Sequence, residues 1–264
     1  MSTLHPIETM NHIRETYLRY LKTIYPFQDP VLRATFWQAL EESGRLVNGP
    51  LLESAPPFAH GRSISRLVEE GILHSNFHQL YSEAMPWERA LYSHQEEAVT
   101  HVVQRNRNLI VATGTGSGKT ETFLIPILNH LLREQAVGTL QLPGVRALLL
   151  YPMNALANDQ LRRLRRVLEN YPAITFGRYT GETEEDDNYA RVRFYEQFPN
   201  EQLLPNELIS RRQIRAKPPH ILLTNYAMLE YLLLRPEDCE LFDGKTGKHW
   251  RFLVLDEAHV YDGA

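Results

Sequence analysis

Residues 109–120 read LIVATGTGSGKT, and residues 252–259 read FLVLDEAH. In the first, an apolar run enters a glycine-rich turn and then an amphipathic stretch, ETFLIPIL at 121–128. A strand that turns sharply into a helix in this way is the setting of a phosphate-binding loop. Gly114, Gly116 and Gly118 can adopt the angles that point successive backbone N–H groups at a polyphosphate. The helix N-terminus adds partial positive charge. Thr115, Gly116, Ser117, Gly118, Lys119 and Thr120 are the candidate phosphate ligands, with Lys119 reaching the β- and γ-phosphates and the Thr120 hydroxyl ligating Mg²⁺. The strict pattern has glycine at position 113, where this chain has Thr113. An ordinary glycine-rich turn is the competing reading, and the intact GSGKT ending argues against it.

The second stretch is an apolar strand that ends in adjacent carboxylates. Asp256 stands where the second Mg²⁺-directed group of such a site belongs, and Glu257 where a group could orient or deprotonate an attacking water. By itself a DE pair after an apolar run is more simply a strand end meeting solvent. Its pairing with the phosphate loop changes that. His259 has no second His or Cys at ligand spacing and is not read as a zinc ligand.

Between these motifs the chain alternates strand and helix. Apolar runs at 109–112, 147–152, 174–179, 220–225 and 252–257 suit parallel strands buried on both faces, and helical patterns fall at about 118–134, 154–170 and 226–235. That alternation predicts a parallel sheet with crossover helices. The segment 182–219 breaks the rhythm with the acidic run ETEEDD and four prolines, and is expected to be a partly helical insertion. The acidic run itself suits a solvated loop better than a metal site. Residues 1–88 have a different texture: helical spacing at 8–24 and 30–43, the latter opened by Asp29-Pro30, a Gly/Pro-rich loop at 47–61, and a short helix near 63–72. They are read as a helical accessory region with its boundary near Pro86.

With 264 residues, a net charge of −4 and 43% hydrophobic residues, the composition is that of a globular protein without a global basic field. A nucleic-acid site would have to be a local stripe. The single cysteine, Cys239, excludes an intramolecular disulfide and fits a cytoplasmic setting. No apolar run is long enough for a signal peptide core or a membrane span, so no membrane partner is expected.

With both motifs in place, the chain resembles the superfamily 2 helicases of the DEAD/DEAH-box type, whose signature tetrad is Asp256-Glu257-Ala258-His259. LYSHQEEAV (91–99) resembles the Q motif, with Gln95 in the position that reads adenine; an amide suits adenine N6 and N7. YPMNALANDQ (151–160) resembles motif Ia, RYTGET (178–183) motif Ib, and LLTNYAMLEYLLLR (222–235) the strand and helix that follow. The wording of these motifs is similar to that of large bacterial helicases related to the repair helicase MrfA, a group that includes anti-phage defence proteins.

The resemblance implies an α/β, RecA-like P-loop domain over 89–264, incomplete at its C-terminus and preceded by the accessory region. It implies ATP and Mg²⁺ as ligands, with Lys119, Asp256, Glu257 and His259 in the catalytic set. DNA, single-stranded or at a duplex junction, is the implied partner, contacted through Pro152, Asn154, Thr180, Gly181, Thr224 and Asn225. The basic runs Arg162, Arg163, Arg165, Arg166 and Arg211, Arg212, Arg215, Lys217 are either phosphate stripes or solvated helix faces. The expected whole is the ATP-binding N-terminal part of a DNA helicase or translocase. It would need a second RecA-like lobe, downstream or on another chain, to hydrolyse ATP efficiently. The alternatives are an RNA helicase and a non-catalytic ATP-binding or interaction module.

Overall fold

Proline at the first helical position starts both N-terminal helices, α1 (Pro6–Ile24) and α2 (Pro30–Glu41). The Asp29 carboxylate caps α2 by accepting from the N–H groups of Val31 (2.7 Å) and Leu32 (2.9 Å), as Asp29-Pro30 predicts. The two helices are joined by edge-to-face contacts of Phe36 with Tyr25 and Phe27 and by the Lys22–Glu41 ion pair. They belong to the first of two units in this computed structural model, Met1–Pro57; the second is Phe58–Ala264. The structure describes residues 5–42, 46, 57–80, 82–114, 116–244 and 246–261. Most of the loop expected at 47–61, and the last three residues of the expected 89–264 domain, lie outside these.

The second unit begins with a two-stranded antiparallel ribbon, β1 (His60–Ser63) with β2 (Ala90–Tyr92), which flanks α3 (Ile64–Glu69). There follow α4 (Ser93–Val103), α5 (Lys119–Ala136), β3 (Ala147–Tyr151), α6 (Asn154–Leu168) and β4 (Phe176–Tyr179). Next come α7 (Asp187–Gln197), β5 (Glu207–Leu208), α8 (Arg211–Ala216), β6 (Ile221–Asn225), α9 (Tyr226–Leu234) and β7 (Phe252–Leu255). The sheet order is β5-β4-β6-β3-β7, with every neighbouring pair parallel. This is the doubly covered α/β sheet that the alternation predicts. Alternate residues of each strand go to opposite layers. Ala147, Leu149, Tyr151, Ile221 and Leu223 join the core with α5 and α6, whereas Leu148, Leu222 and Tyr179 join Met228 and Leu232 of α9 and Ile214 of α8.

Three expectations change. The run LIVA at 109–112 forms no strand and joins no ladder, and Ile110 is 97% exposed. β7 is the edge of the sheet, and its Leu253 is 62% exposed, so the pairing surface that would bury such a run is open. The units divide at Pro57/Phe58 and not near residue 88, because Ile64, Leu67, Phe77 and Leu80 share one core with Ile125 and Leu128 of α5. Finally, the two halves of the insertion neutralise each other. Glu185 pairs with Arg215, and Asp186 and Asp187 pair with Arg212, so the acidic run is a counter-charge to an arginine run and not a free loop.

Beneath the N-terminal ends of β3 and β6, polar side chains replace regular structure. Arg146 is fully buried and donates to Glu134 (2.8 Å) and to the carbonyls of Thr139, Leu142 and Gly144, closing the α5–β3 connection on itself. His220 Nδ1 accepts from the Thr175 N–H (2.9 Å), which leaves Nε2–H to donate to the Leu140 carbonyl (2.8 Å). Among the described residues no helix is long and apolar enough to cross a membrane.

This geometry holds His220 neutral, and burial draws its pKa from the ordinary 6.5 down to about 4. Between those values the unfolded chain takes up a proton that the folded chain refuses, so stability is full above pH 6.5 and falls as pH drops toward 4. The expected loss is about 3 kcal/mol over that window, from 1.36 kcal/mol per unit. Urea denaturation from pH 7 to 4 should show it, and His220→Gln should flatten that part of the profile. An unchanged slope in the variant would assign the loss elsewhere.

Candidate nucleotide and nucleic-acid site

The glycine-rich turn is held in place by the helix before it. Gly116 (φ +75°) and Gly118 (φ +70°) are left-handed, and Gly118 is the N-cap from which α5 starts at Lys119. Gln95 of α4 accepts from the Tyr92 N–H (2.8 Å) and donates to the Gly118 carbonyl (2.8 Å). His94 Nε2 lies 2.9 Å from the Ser117 carbonyl, and the Thr113 and Ser117 hydroxyls are 2.7 Å apart. Thr113, the departure from the strict glycine pattern, therefore stitches the loop shut. Thr115 lies outside the described residues. Both ends of the Gln95 amide are engaged by backbone, so reading adenine would require it to release the loop.

The second half of the site follows from strand register. β3 and β7 pair Leu150 with Leu255, and the Asp256 N–H continues the ladder to the Leu150 carbonyl (3.0 Å). Asp256 thus stands beside Tyr151, on the face that meets α5 and α6. Half-buried, its carboxyl is pushed above the usual range by desolvation, and the Lys119 ammonium offsets part of that rise. The Tyr151 and Tyr261 hydroxyls are buried without a protein partner, and burial together with the Asp256 charge raises the pKa of both. Glu257 takes a left-handed backbone (φ +50°), which is uncommon outside glycine and concentrates at functional turns. Its carboxylate lies 3.4 Å from Nδ1 of the exposed His259.

At the same end of the sheet the nucleic-acid candidates separate into two groups. Asn154, at the start of α6, donates to Glu182 (2.9 Å) and accepts from Asn225 (2.6 Å), so the ends of β3 and β6 are joined. Pro152 and Asn225 are partly exposed and Gly181 is exposed. Thr180 and Thr224 are fully buried, and the Thr224 hydroxyl donates to the Tyr179 carbonyl (2.7 Å). Both hydroxyls are engaged by backbone, that of Thr180 accepting from the Glu182 N–H (3.3 Å). The α6 arginines are no uniform stripe either. Arg165 is buried against Glu207 and the Gln202 carbonyl, Arg163 pairs with Glu121 (2.6 Å), and Arg162 and Arg166 remain on the surface. Desolvation outweighs Arg165 at Glu207, whose pKa rises to about 7.

The motifs assigned no contact to Glu121, Tyr151 or Gln160, and gave Arg163 only a place in a basic run. Gln160 donates to the Thr120 hydroxyl (3.3 Å), and Glu121, almost wholly buried, accepts from both Arg89 (2.9 Å) and Arg163. The available signal was their spacing: Gln160 and Arg163 are three apart and share one face of α6.

The family profile described as DEAD/DEAH box helicase matches residues 92–264. The Druantia protein DruE of Escherichia coli (strain UMEA 4076-1) is 30% identical to this chain; the match covers 97% of this chain and 19% of that protein. The ATP-dependent helicase Lhr-Core of Methanothermobacter thermautotrophicus is 30% identical, over 74% of this chain and 20% of its own length. The chain thus spans about a fifth of the length of these relatives. Among solved structures, the DUF1998 helicase MrfA bound to DNA and AMPPNP aligns with a TM-score of 0.46 at 24% identity, over 79% of this chain and 22% of that one.

Substituting the two left-handed glycines separates backbone cost from contact cost. A Cβ on Gly116 meets open space, whereas on Gly118 it would lie 2.3 Å from Gln95 Nε2 and 3.1 Å from Glu121 Oε2. Gly116→Ala should therefore lose only the left-handed penalty of about 1–2 kcal/mol. Gly118→Ala should lose that and the Gln95 anchor as well. Equal losses on chemical denaturation would show that Gln95 does not hold the loop.

Proposed function

The chain belongs to the DEAD/DEAH box helicase family, and we propose that it is the ATP-binding RecA-like lobe of a DNA helicase or translocase. One observation carries this reading. Lys119, the first residue of α5 after the left-handed glycine turn, is near enough to Asp256 at the end of β7 to lower its pKa. A lysine and a hydroxyl at a helix N-terminus, with a carboxylate in electrostatic reach of the lysine, suit a magnesium-bound triphosphate.

In this reading the N–H groups of the loop and Lys119 hold the β- and γ-phosphates. The donor set fits Mg²⁺: one hydroxyl (Thr120) and one carboxylate (Asp256) are hard oxygen ligands, and Mg²⁺ keeps the rest of its shell as water and phosphate oxygen. The partnerless hydroxyls of Tyr151 and Tyr261 beside Asp256 agree with a site that holds water or further oxygen ligands. When bound, the ion neutralises charge on the phosphate oxygens. Glu257, turned by its left-handed backbone away from the strand direction, orients the attacking water and takes its proton, with His259 steadying the carboxylate. A second RecA-like lobe supplies the arginines that complete phosphoryl transfer.

The nucleic acid crosses the C-terminal edge of the sheet over Pro152, Asn154, Gly181 and Asn225, held by amides and backbone without base reading. Single-stranded DNA is favoured over RNA because the motif wording is that of MrfA-like DNA helicases. The likeness to DruE extends through 97% of this chain, well beyond the profile match.

The test is ATP hydrolysis by the chain with and without single-stranded DNA, with Lys119→Ala as the blank. Mg-ATP binding that Lys119→Ala abolishes supports the phosphate site. Equal binding by that variant would remove the assignment. Turnover that rises when a second lobe is supplied supports a shared site; tight binding without turnover under that condition would favour a non-catalytic module.

A further inference from the structure

Two opposite flanks of α6 carry hydrogen bonds to the two ends of the site. At about 3.6 residues per turn, Asn154 and Asn158 fall on one side of the helix, and Gln160 and Arg163 on the other. At its first turns Asn154 bonds Glu182 and Asn225, and the Asn158 side chain accepts from Arg178. Two turns on, Gln160 donates to the Thr120 hydroxyl (3.3 Å) and Arg163 to Glu121 (2.6 Å). At 1.5 Å per residue, Asn154 and Gln160 are only about 9 Å apart along the helix axis.

The contacts at the nucleotide end are firm. The Glu121 side chain is 6% exposed, and the carboxylate oxygen not engaged by Arg89 or Arg163 is buried against the last turn of the glycine loop. Charge-assisted bonds in such surroundings are short and strong. Arg162, one position away, offers the contrast: it pairs with Asp159 on the surface at 3.6 Å. The Gln160 amide occupies one lone pair of the Thr120 oxygen, so it fixes where the other points.

We propose that α6 is a rigid link between the two ligands, with Gln160 and Arg163 as positioning residues that set Thr120 and Glu121 according to what occupies Asn154. The inference rests on the nucleotide and nucleic-acid assignments proposed above. A strand that competes with Asn225 or Glu182 for Asn154 displaces the start of α6, and the helix carries that displacement to Thr120 through Gln160. Nucleic acid and nucleotide then change each other's affinity by the same factor.

The experiment measures the affinity of a fluorescent non-hydrolysable ATP analogue with Mg²⁺, with and without an oligo(dT) strand. It uses the unmodified chain, Arg163→Gln, Gln160→Ala and the surface control Arg162→Gln. The strand should tighten analogue binding about five-fold or more in the unmodified chain and the control, the lower end of typical couplings. In Arg163→Gln and Gln160→Ala that factor should fall toward one while each ligand alone still binds, and Arg163→Lys should restore part of it by keeping the charge. Gln160→Ala leaves the buried ion pair intact, so it answers even if Arg163→Gln fails to fold. An unchanged factor in Gln160→Ala, or no coupling in the unmodified chain, overturns the inference while leaving the ligand assignments standing. Failure of the unmodified chain to bind the analogue, or equal binding by Lys119→Ala, overturns the nucleotide assignment and the inference with it.

Discussion

Everything at the site depends on the in-register parallel pairing of β3 with β6 and β7. Five residues of β3 are wholly buried, and the ladders match Leu150 to Thr224 on one side and to Leu255 on the other. Because side chains alternate, that single register places Tyr151 beside Asp256 on the face toward α5 and Asn225 beside the start of α6. A slip of one residue would turn Asp256 to the α9 layer and bring Leu255 to face the glycine loop. The apolar residues that enforce the register, Leu148, Leu149, Leu222 and Leu223, are thus as much a part of the site's geometry as its charged groups.

The glycine loop is held by a different means. Its left-handed residues make it conformationally expensive, and three hydrogen bonds from the segment 92–95 and Thr113 offset part of that cost. This gives Gln95 two tasks in one structure. The amide that would recognise adenine also clamps the Gly118 carbonyl, so base recognition and loop shape draw on the same donor. A nucleotide that engages Gln95 loosens the loop at the moment its phosphates provide new partners for the loop N–H groups.

The strands buried on both faces were legible in the sequence. ALLLY and ILLTN are continuous apolar runs, and nothing but a doubly covered sheet accommodates them. The same rule failed at LIVA, since an apolar run announces that burial is needed and not which neighbour provides it. The sharp glycine turn into α5 and the carboxylates that end β7 were legible because glycine spacing and the end of an apolar run mark them in the sequence. Partners brought in by tertiary packing were not. Arg163 and Arg166 look alike in QLRRLRRVL, yet one meets a buried carboxylate and the other solvent. The boundary near Pro86 failed for a related reason: composition changes there, but Phe77 and Leu80 belong to the core of α5. Thr180 and Thr224 were chosen for their hydroxyls, and the fold spends those hydroxyls on backbone groups.

The charge distribution bears on how such a site can grip a polyanion. The net charge is −4, and several arginines are already paired: Arg178 with Glu182, Arg193 with Glu184, Arg212 with Asp186 and Asp187, and Arg215 with Glu185, whereas Arg211 donates to the Thr180 carbonyl (3.3 Å) at the end of β4. Burial also pushes the Arg178 pKa down, so its charge is already carried at a cost. A strand crossing this edge would meet amides, backbone N–H groups and the N-terminus of α6, with Arg211 close by at the Thr180 carbonyl. Few phosphates would be neutralised by this lobe, and counterion release, which dominates most nucleic-acid affinity, would contribute little here. On the proposed path, the amides at Asn154 and Asn225 would be the principal grip. Since they bond to each other and sit at the start of the helix whose Gln160 bonds Thr120, the contact proposed to hold the strand would also be the one that reports it.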